Sequence, residues 1–177
     1  MRLLLDACVL YPTVLRDILI ETAAAGGFTP LWSDRILEEW ARAAERSALA
    51  DGPRARAEIA LLRTRFPDAS IEAPDDPALS LPDPNDIHVL AAAIHGGAEA
   101  IVTLNLRDFP GRTLARHGLM LRSPDSVLLE LHDAGEIPVA RIAQAARARA
   151  ETLSGQPQPL RGILKRANLP RLGKALG

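Results

Sequence analysis

Apolar residues fall into two patterns along this chain: short unbroken runs that suit buried strands, and runs spaced by three or four that suit helices. Residues 2–6 and 8–10, built around Leu3-Leu4-Leu5 and Val9-Leu10, predict a buried opening strand. A helix over about 13–25 should stop at Gly26-Gly27. Ser33 is placed to cap a second helix over 34–48, with Ile36, Leu37, Trp40 and Ala44 on one face. Gly52-Pro53 breaks the pattern, a further helix over 54–66 follows, and 69–73 predicts a short strand before Pro74-Asp75-Asp76-Pro77. Asp83 caps a helix that begins at Pro84, holds Asp86 in its first turn and stops at Gly96-Gly97. Strands are predicted over 100–104 and 119–122, then helices over 124–134 and 138–153. Gly155-Gln156-Pro157-Gln158-Pro159 reads as a linker. Strands alternating with helices imply an α/β domain with a parallel sheet over about 1–134, followed by a helical extension over 135–177.

Composition narrows the class. With 177 residues, 47% of them hydrophobic and 24% charged, the chain suits one domain with an appendage. No apolar stretch approaches the ~20 residues of a membrane span. Asp6 arrives too early for a signal peptide. The single cysteine, Cys8, excludes an internal disulfide and any multi-cysteine zinc site. A cytoplasmic protein with no membrane partner is the expectation.

The net charge of −1 conceals an asymmetry. Residues 1–136 carry 13 basic and 21 acidic side chains, a net of −8, whereas 137–177 carry 8 and 1, a net of +7. In the tail, Arg161, Lys165, Arg166, Arg171 and Lys174 alternate with Ile163, Leu164, Leu169 and Leu172, and no acid lies among them. Such a segment is suited to RNA phosphates. It could equally be an amphipathic piece that docks on the acidic body or on a partner.

The candidate chemistry lies in the carboxylates. Asp6 closes the first apolar run, Asp83 and Asp86 open a helix, and Asp108 follows the run Ala100-Ile101-Val102-Thr103. In an open α/β sheet, ligands bind outside the carboxyl ends of the strands. Aspartates gathered there repel one another unless a cation lies between them, and hard oxygen ligands suit Mg²⁺ or Mn²⁺. Divalent ions activate water and absorb charge in phosphodiester cleavage. Either Glu38 or Glu39, on adjacent faces of the second helix, supplies a fourth acid. Taken singly, each has an ordinary explanation: Asp83 as a helix cap, Asp86 as a first-turn acid, Asp108 as a turn residue. Asp6 is the hardest to dismiss, because a charge after a buried strand is costly unless paired. Cys8 reads as a core thiol, the four histidines make no ligand spacing, and Trp32 and Trp40 read as core or interface anchors.

Four stretches resemble the acidic motifs of PIN domains, in the family's order over about 2–122. They are Leu4-Leu5-Asp6-Ala7-Cys8-Val9-Leu10, Ser33-Asp34-Arg35-Ile36-Leu37-Glu38-Glu39-Trp40, Asp83-Pro84-Asn85-Asp86-Ile87-His88-Val89-Leu90, and Val102-Thr103-Leu104-Asn105-Leu106-Arg107-Asp108-Phe109. The resemblance implies a three-layer α/β/α sandwich around a central parallel sheet, with 135–177 lying outside the shared domain. It also implies a Mg²⁺- or Mn²⁺-dependent endoribonuclease, most often the VapC-type toxin of a toxin–antitoxin pair. Carried over by position, the acids are Asp6, Glu39, Asp86 and Asp108, with Asp83 supporting them or binding a second metal. Glu39 is preferred to Glu38 because the family's glutamate directly precedes the large apolar residue, here Trp40. Thr103 and Asn105 would orient the metal ligands from behind. Asp6 and Asp108 would anchor a metal, Asp86 bridge or orient it, and Glu39 hold the attacking water, leaving 5′-phosphate and 3′-hydroxyl ends. RNA, a cognate antitoxin and a second copy of the chain are the implied partners.

Two other functions compete. An aspartate-nucleophile phosphatase wants a second aspartate where Cys8 stands, and a lysine partner, whereas the only lysines are Lys165 and Lys174. A non-catalytic PIN-like module would bind RNA or a protein without cutting, and would carry the repulsion of its clustered acids to no benefit.

Overall fold

The computed structural model describes every residue from Met1 to Gly177. Its elements in chain order are β1 (Arg2–Leu5), α1 (Ala7–Leu10), α2 (Thr13–Ala24), β2 (Thr29–Leu31), α3 (Asp34–Ser47) and α4 (Asp51–Arg65). There follow α5 (Ile87–His95), β3 (Ala100–Val102), α6 (Gly111–Ala115), β4 (Met120–Arg122), α7 (Pro124–Ala134), α8 (Val139–Ser154), α9 (Leu160–Arg166) and α10 (Pro170–Ala175). Short 3₁₀ turns occupy Pro67–Ala69 and Pro84–Asp86. The strands form one parallel sheet in the order β2-β1-β3-β4. The fold is therefore α/β, a parallel sheet flanked by helices and followed by carboxyl-terminal helices, consistent with a PIN-like architecture. No helix is long and apolar enough to cross a membrane.

Packing groups the chain into two compact units, Met1–Tyr11 with Thr29–Arg122, and Pro12–Phe28 with Ser123–Gly177. The first contains the sheet. Leu3, Leu4 and Leu5 of β1 and Ala100, Ile101 and Val102 of β3 are wholly buried, as strands in the middle of a parallel sheet should be. α5 packs against both strands, and its Val89, Leu90, Ala92 and Ala93 are buried. α3 is the most amphipathic helix: Ile36, Leu37 and Trp40 are buried, and α4 packs beside it. Trp32 meets Phe66 edge-on at 6.0 Å, so both tryptophans are core residues here.

The second unit gathers α2 with α7, α8, α9 and α10. Arg149 of α8 pairs with Asp17 of α2 at 3.2 Å. The tail folds as two short helices that bury Ile163, Leu164, Leu169 and Leu172 and leave Arg161, Lys165, Arg166, Arg171 and Lys174 exposed. A helix of 6 residues such as α10 does not hold itself in water. Asp125, in the first turn of α7 and buried, accepts the Arg171 and Leu172 backbone N–H groups at 3.0 Å each. One carboxylate thus caps α10 across 46 and 47 positions of sequence. Asp125→Ala should lose about 1–2 kcal/mol, in the range of helix caps. Hydrogen exchange at Arg171 and Leu172 should then quicken well before exchange at Leu128; unchanged protection would show that packing alone holds α10.

Several predicted elements differ from the observed ones. Residues 8–10 are not strand: Asp6 stops β1, its carboxylate accepts the Ala7 N–H at 2.7 Å, and one helical turn follows. The edge strand β2 is unpredicted, because Thr29-Pro30-Leu31 is brief and its proline belongs on a sheet edge. The strand expected over 69–73 shrinks to one bridge between Trp32 and Ser70. Gly52-Pro53 does not interrupt a helix but sits in the first turn of α4, where proline's missing N–H is harmless. The helix expected from Pro84 begins with a 3₁₀ turn, and α6 has no counterpart among the predicted elements.

Candidate active site

β1 delivers Asp6 to its carboxyl end with almost no solvent contact, 5% exposed. Both carboxylate oxygens are held. Oδ1 takes the Ala7 N–H at 2.7 Å, and Oδ2 takes the Thr103 hydroxyl at 2.7 Å and the Cys8 thiol at 3.2 Å. Thr103 lies just past the end of β3, whose Val102 pairs with Leu5. Its Oγ1 also accepts the Asn105 N–H at 3.0 Å, and the chain then turns so that the Asp108 N–H meets the Asn105 carbonyl at 3.1 Å. Thr103 therefore touches Asp6 directly, whereas Asn105 is tied in through its backbone.

On the other side, Asp83 caps the 3₁₀ turn, with Oδ1 accepting both the Asn85 N–H and the Asn85 side-chain amide at 2.9 Å. That turn carries Asp86 to the start of α5. Burial, followed by the charges of Asp6, Asp83 and Asp108, pushes the Asp86 carboxyl up to about 6 from the ordinary 3.8, with His88 alone opposing. No lysine or arginine is among the charges acting on Asp86. Aspartates from three segments, Asp6, the Asp83–Asp86 turn and Asp108, thus meet at Asp86, opposed only by His88.

Glu38 and Glu39 have different surroundings. Glu38 is bound by Arg56 at 2.9 Å and Arg42 at 3.0 Å, which hold its carboxyl down at about 2, Arg56 first. Glu39 Oε1 stands 2.8 Å from His88 Nε2 and 3.7 Å from Arg35 Nε. Glu39 thus faces the first turn of α5, two residues beyond Asp86. A cleft of about 440 Å³ opens beside the ring of His88, between the start of α3 and the 71–75 segment.

Two residues of this neighbourhood escaped the sequence reading. Cys8 is half-buried rather than a core thiol: its Sγ lies 3.2 Å from Asp6 Oδ2 and Thr103 Oγ1, and accepts the Leu104 N–H at 3.2 Å. Burial, followed by the Asp6 charge, pushes this thiol up to about 12, so it stays protonated and is no nucleophile. His88 is buried beside the second acid. Reading 7–10 as a helical turn would have brought Cys8 back over Asp6. The tail cations Arg161, Lys165, Arg166, Arg171 and Lys174 belong to the second unit, and Arg166 meets the Gln158 side chain.

The donor chemistry fits a hard divalent cation: carboxylate oxygens, a raised Asp86 that a cation would ionise, and no competing Lys or Arg beside it. As placed, no three Asp, Glu, His or Cys side chains converge on a single point. Mg²⁺ needs no such cage, since it is usually bound through one or two carboxylates and keeps several waters. No curated protein and no solved structure matches the chain. The family model of the PIN domain, whose members are generally metal-dependent nucleases, matches residues 2–107. The match takes in Asp6, Glu39, Asp83, Asp86 and Thr103 and stops one residue before Asp108. On this match and the parallel sheet that carries the acids, the chain belongs to the PIN domain family.

Proposed function

We propose that this PIN domain is a Mg²⁺- or Mn²⁺-dependent endoribonuclease, and that it acts as the toxin of a VapBC-type pair in the cytoplasm. The observation that carries the nuclease reading is the gathering of carboxylates at Asp86, where Asp6, Asp83 and Asp108 add to burial and only His88, no lysine or arginine, opposes them. Carboxylates so arranged are stabilised by a cation and little else. In this reading Asp6, Asp86 and Asp108 hold the metal, Asp83 supports them, and Thr103 fixes Asp6 through its hydroxyl. When bound, the metal withdraws charge from the phosphate oxygens and lowers the pKa of water. Glu39 holds the attacking water on the far side of the phosphorus from the leaving 3′-oxygen. The water oxygen bonds to phosphorus and releases a proton to solvent, the bond to the 3′-oxygen breaks, and that oxygen takes a proton from solvent, leaving a 5′-phosphate and a 3′-hydroxyl. Incubating labelled RNA with the protein and Mn²⁺, with and without EDTA, tests this. Metal-dependent products ending in 5′-phosphate are expected, and 2′,3′-cyclic phosphate ends would refute the proposed attack by water.

The toxin role, the antitoxin partner and a homodimer rest on the order of the four motifs and their resemblance to VapC-type proteins. For the tail, the exposed cations of α9 and α10 support RNA binding, because both helices bury their apolar residues and present the basic ones. Deleting the tail is a poor test, since it strips Ile163, Leu164 and Leu172 from the core. Replacing Arg161, Lys165, Arg171 and Lys174 with Gln keeps that core intact. RNA binding should weaken, and the slope of log K against log salt should fall by about 0.7 for each phosphate that is no longer neutralised. An unchanged slope would remove the tail from the RNA surface.

A further inference from the structure

The imidazole of His88 is the least explained polar group in the sheet-bearing unit. Its side chain is 8% exposed, and neither ring nitrogen has an aligned hydrogen-bond partner. A buried donor or acceptor left unsatisfied is costly and rare in folded proteins. Yet Nε2 lies only 2.8 Å from Glu39 Oε1, so distance is satisfied and only direction is wrong. Arg35 approaches the same oxygen more loosely, at 3.7 Å. Glu39 itself is 39% exposed, and without a tether its carboxylate would sample several rotamers. His88 also sits two residues after Asp86, in the first turn of α5.

From this geometry we infer that His88 is a positioning residue: it clamps Glu39 by Oε1, ties α3 to the Asp86 end of α5, and leaves Oε2 to work at the site. The inference rests on the nuclease reading above, in which Glu39 holds the attacking water or reaches the metal. At 2.8 Å, Nε2 and Oε1 need only a small rotation of either side chain to form an aligned hydrogen bond. Partners that orient a ligating or catalytic carboxylate from behind are commonly worth 10–100-fold in affinity or rate. Glu38, locked by Arg42 and Arg56, has no comparable link to α5.

The test is a double-mutant cycle between His88→Leu and Glu39→Gln, read both in kcat on RNA and in Mn²⁺ affinity by calorimetry, with His88→Gln alongside. Leucine keeps the buried volume; glutamine restores an N–H near the position of Nε2. His88→Leu should lower kcat or Mn²⁺ affinity about 10–100-fold with KM for RNA unchanged. His88→Gln should recover most of that loss. Adding His88→Leu to Glu39→Gln should cost little more, because the clamp has nothing left to hold. Additive losses in both readouts, or a loss in His88→Leu that glutamine does not repair and that follows a lowered Tm, would overturn the inference in favour of simple packing. Coupling in Mn²⁺ affinity in a protein that cuts no RNA would refute the nuclease reading and keep the clamp. Metal-dependent cutting indifferent to His88 would do the reverse.

Discussion

Asp6→Asn should reduce metal-dependent RNA cleavage by at least about 10³-fold, some 4 kcal/mol of transition-state stabilisation, while leaving the fold and RNA binding in place. Asparagine is nearly isosteric, and its amide oxygen can still accept the Ala7 N–H that begins α1. The hydroxyl of Thr103, a donor to Asp6 Oδ2 in the native protein, can turn to accept from the new amide. The hydrogen bonds to Ala7 and Thr103 therefore survive, and what is lost is the weak Cys8 thiol bond to Oδ2 and the negative charge. Charge is what a hard cation requires of this position. In the proposed function RNA is held by the basic side chains of α9 and α10, so binding should persist. Cleavage at the native rate would remove Asp6 from the chemistry. No cleavage by either protein, with both binding RNA, would favour the non-catalytic module.

The second large effect links metal, proton and stability through Asp86. Its carboxyl is raised in the folded chain to about 6 from 3.8, so the native state holds this proton more tightly than the unfolded chain does. Below about pH 4 the group is protonated in both states and contributes nothing. As pH climbs from about 4 to 6 its ionisation increasingly destabilises the fold, and above 6 the penalty is fully in place. Asp86 is only partly buried, so solvent screening reduces the effect to about 1 kcal/mol. A bound cation reverses the sign, because it favours the ionised carboxylate. At about 100 times its Kd, Mn²⁺ should add about 2.7 kcal/mol at pH 7.5, some 5–10 °C in Tm, and much less at pH 5. Asp86→Asn should raise Tm in EDTA and blunt the Mn²⁺ response. An equal Mn²⁺ shift at both pH values, or a lower metal-free Tm in Asp86→Asn, would contradict this account.

How much of this could be read from the chain varies with the range of the forces involved. α7 runs from Pro124 to Ala134 between Ser123 and Gly135, as predicted. The Ser123 hydroxyl accepts the Ser126 N–H at 3.2 Å, and Gly135 takes φ 76°, which glycine adopts without strain. α3 likewise begins behind Ser33, whose hydroxyl accepts the Ile36 N–H at 3.2 Å. Caps act over three or four residues, so their residue types announce them. β2 was invisible because three residues of Thr-Pro-Leu carry no periodicity; pairing with Arg2, Leu3 and Leu4 makes them a strand. Cys8 was misplaced for a related reason. Val9 and Leu10 are wholly buried and look like strand, yet the turn that Asp6 initiates is helical and sets the thiol against Oδ2.

By itself the sequence determined the helix limits set by caps and glycines, the buried character of β1 and β3, and the order of the acidic motifs. All of these follow from local hydrogen bonding, periodicity and residue type. The tertiary structure alone decided that α2 groups with the carboxyl-terminal helices, that Asp125 caps a helix 46 residues away, and that His88 faces Glu39. It also decided that Glu38 is spent on Arg42 and Arg56. Those outcomes depend on which surfaces meet once apolar faces are buried, and that depends on residues distant in the chain.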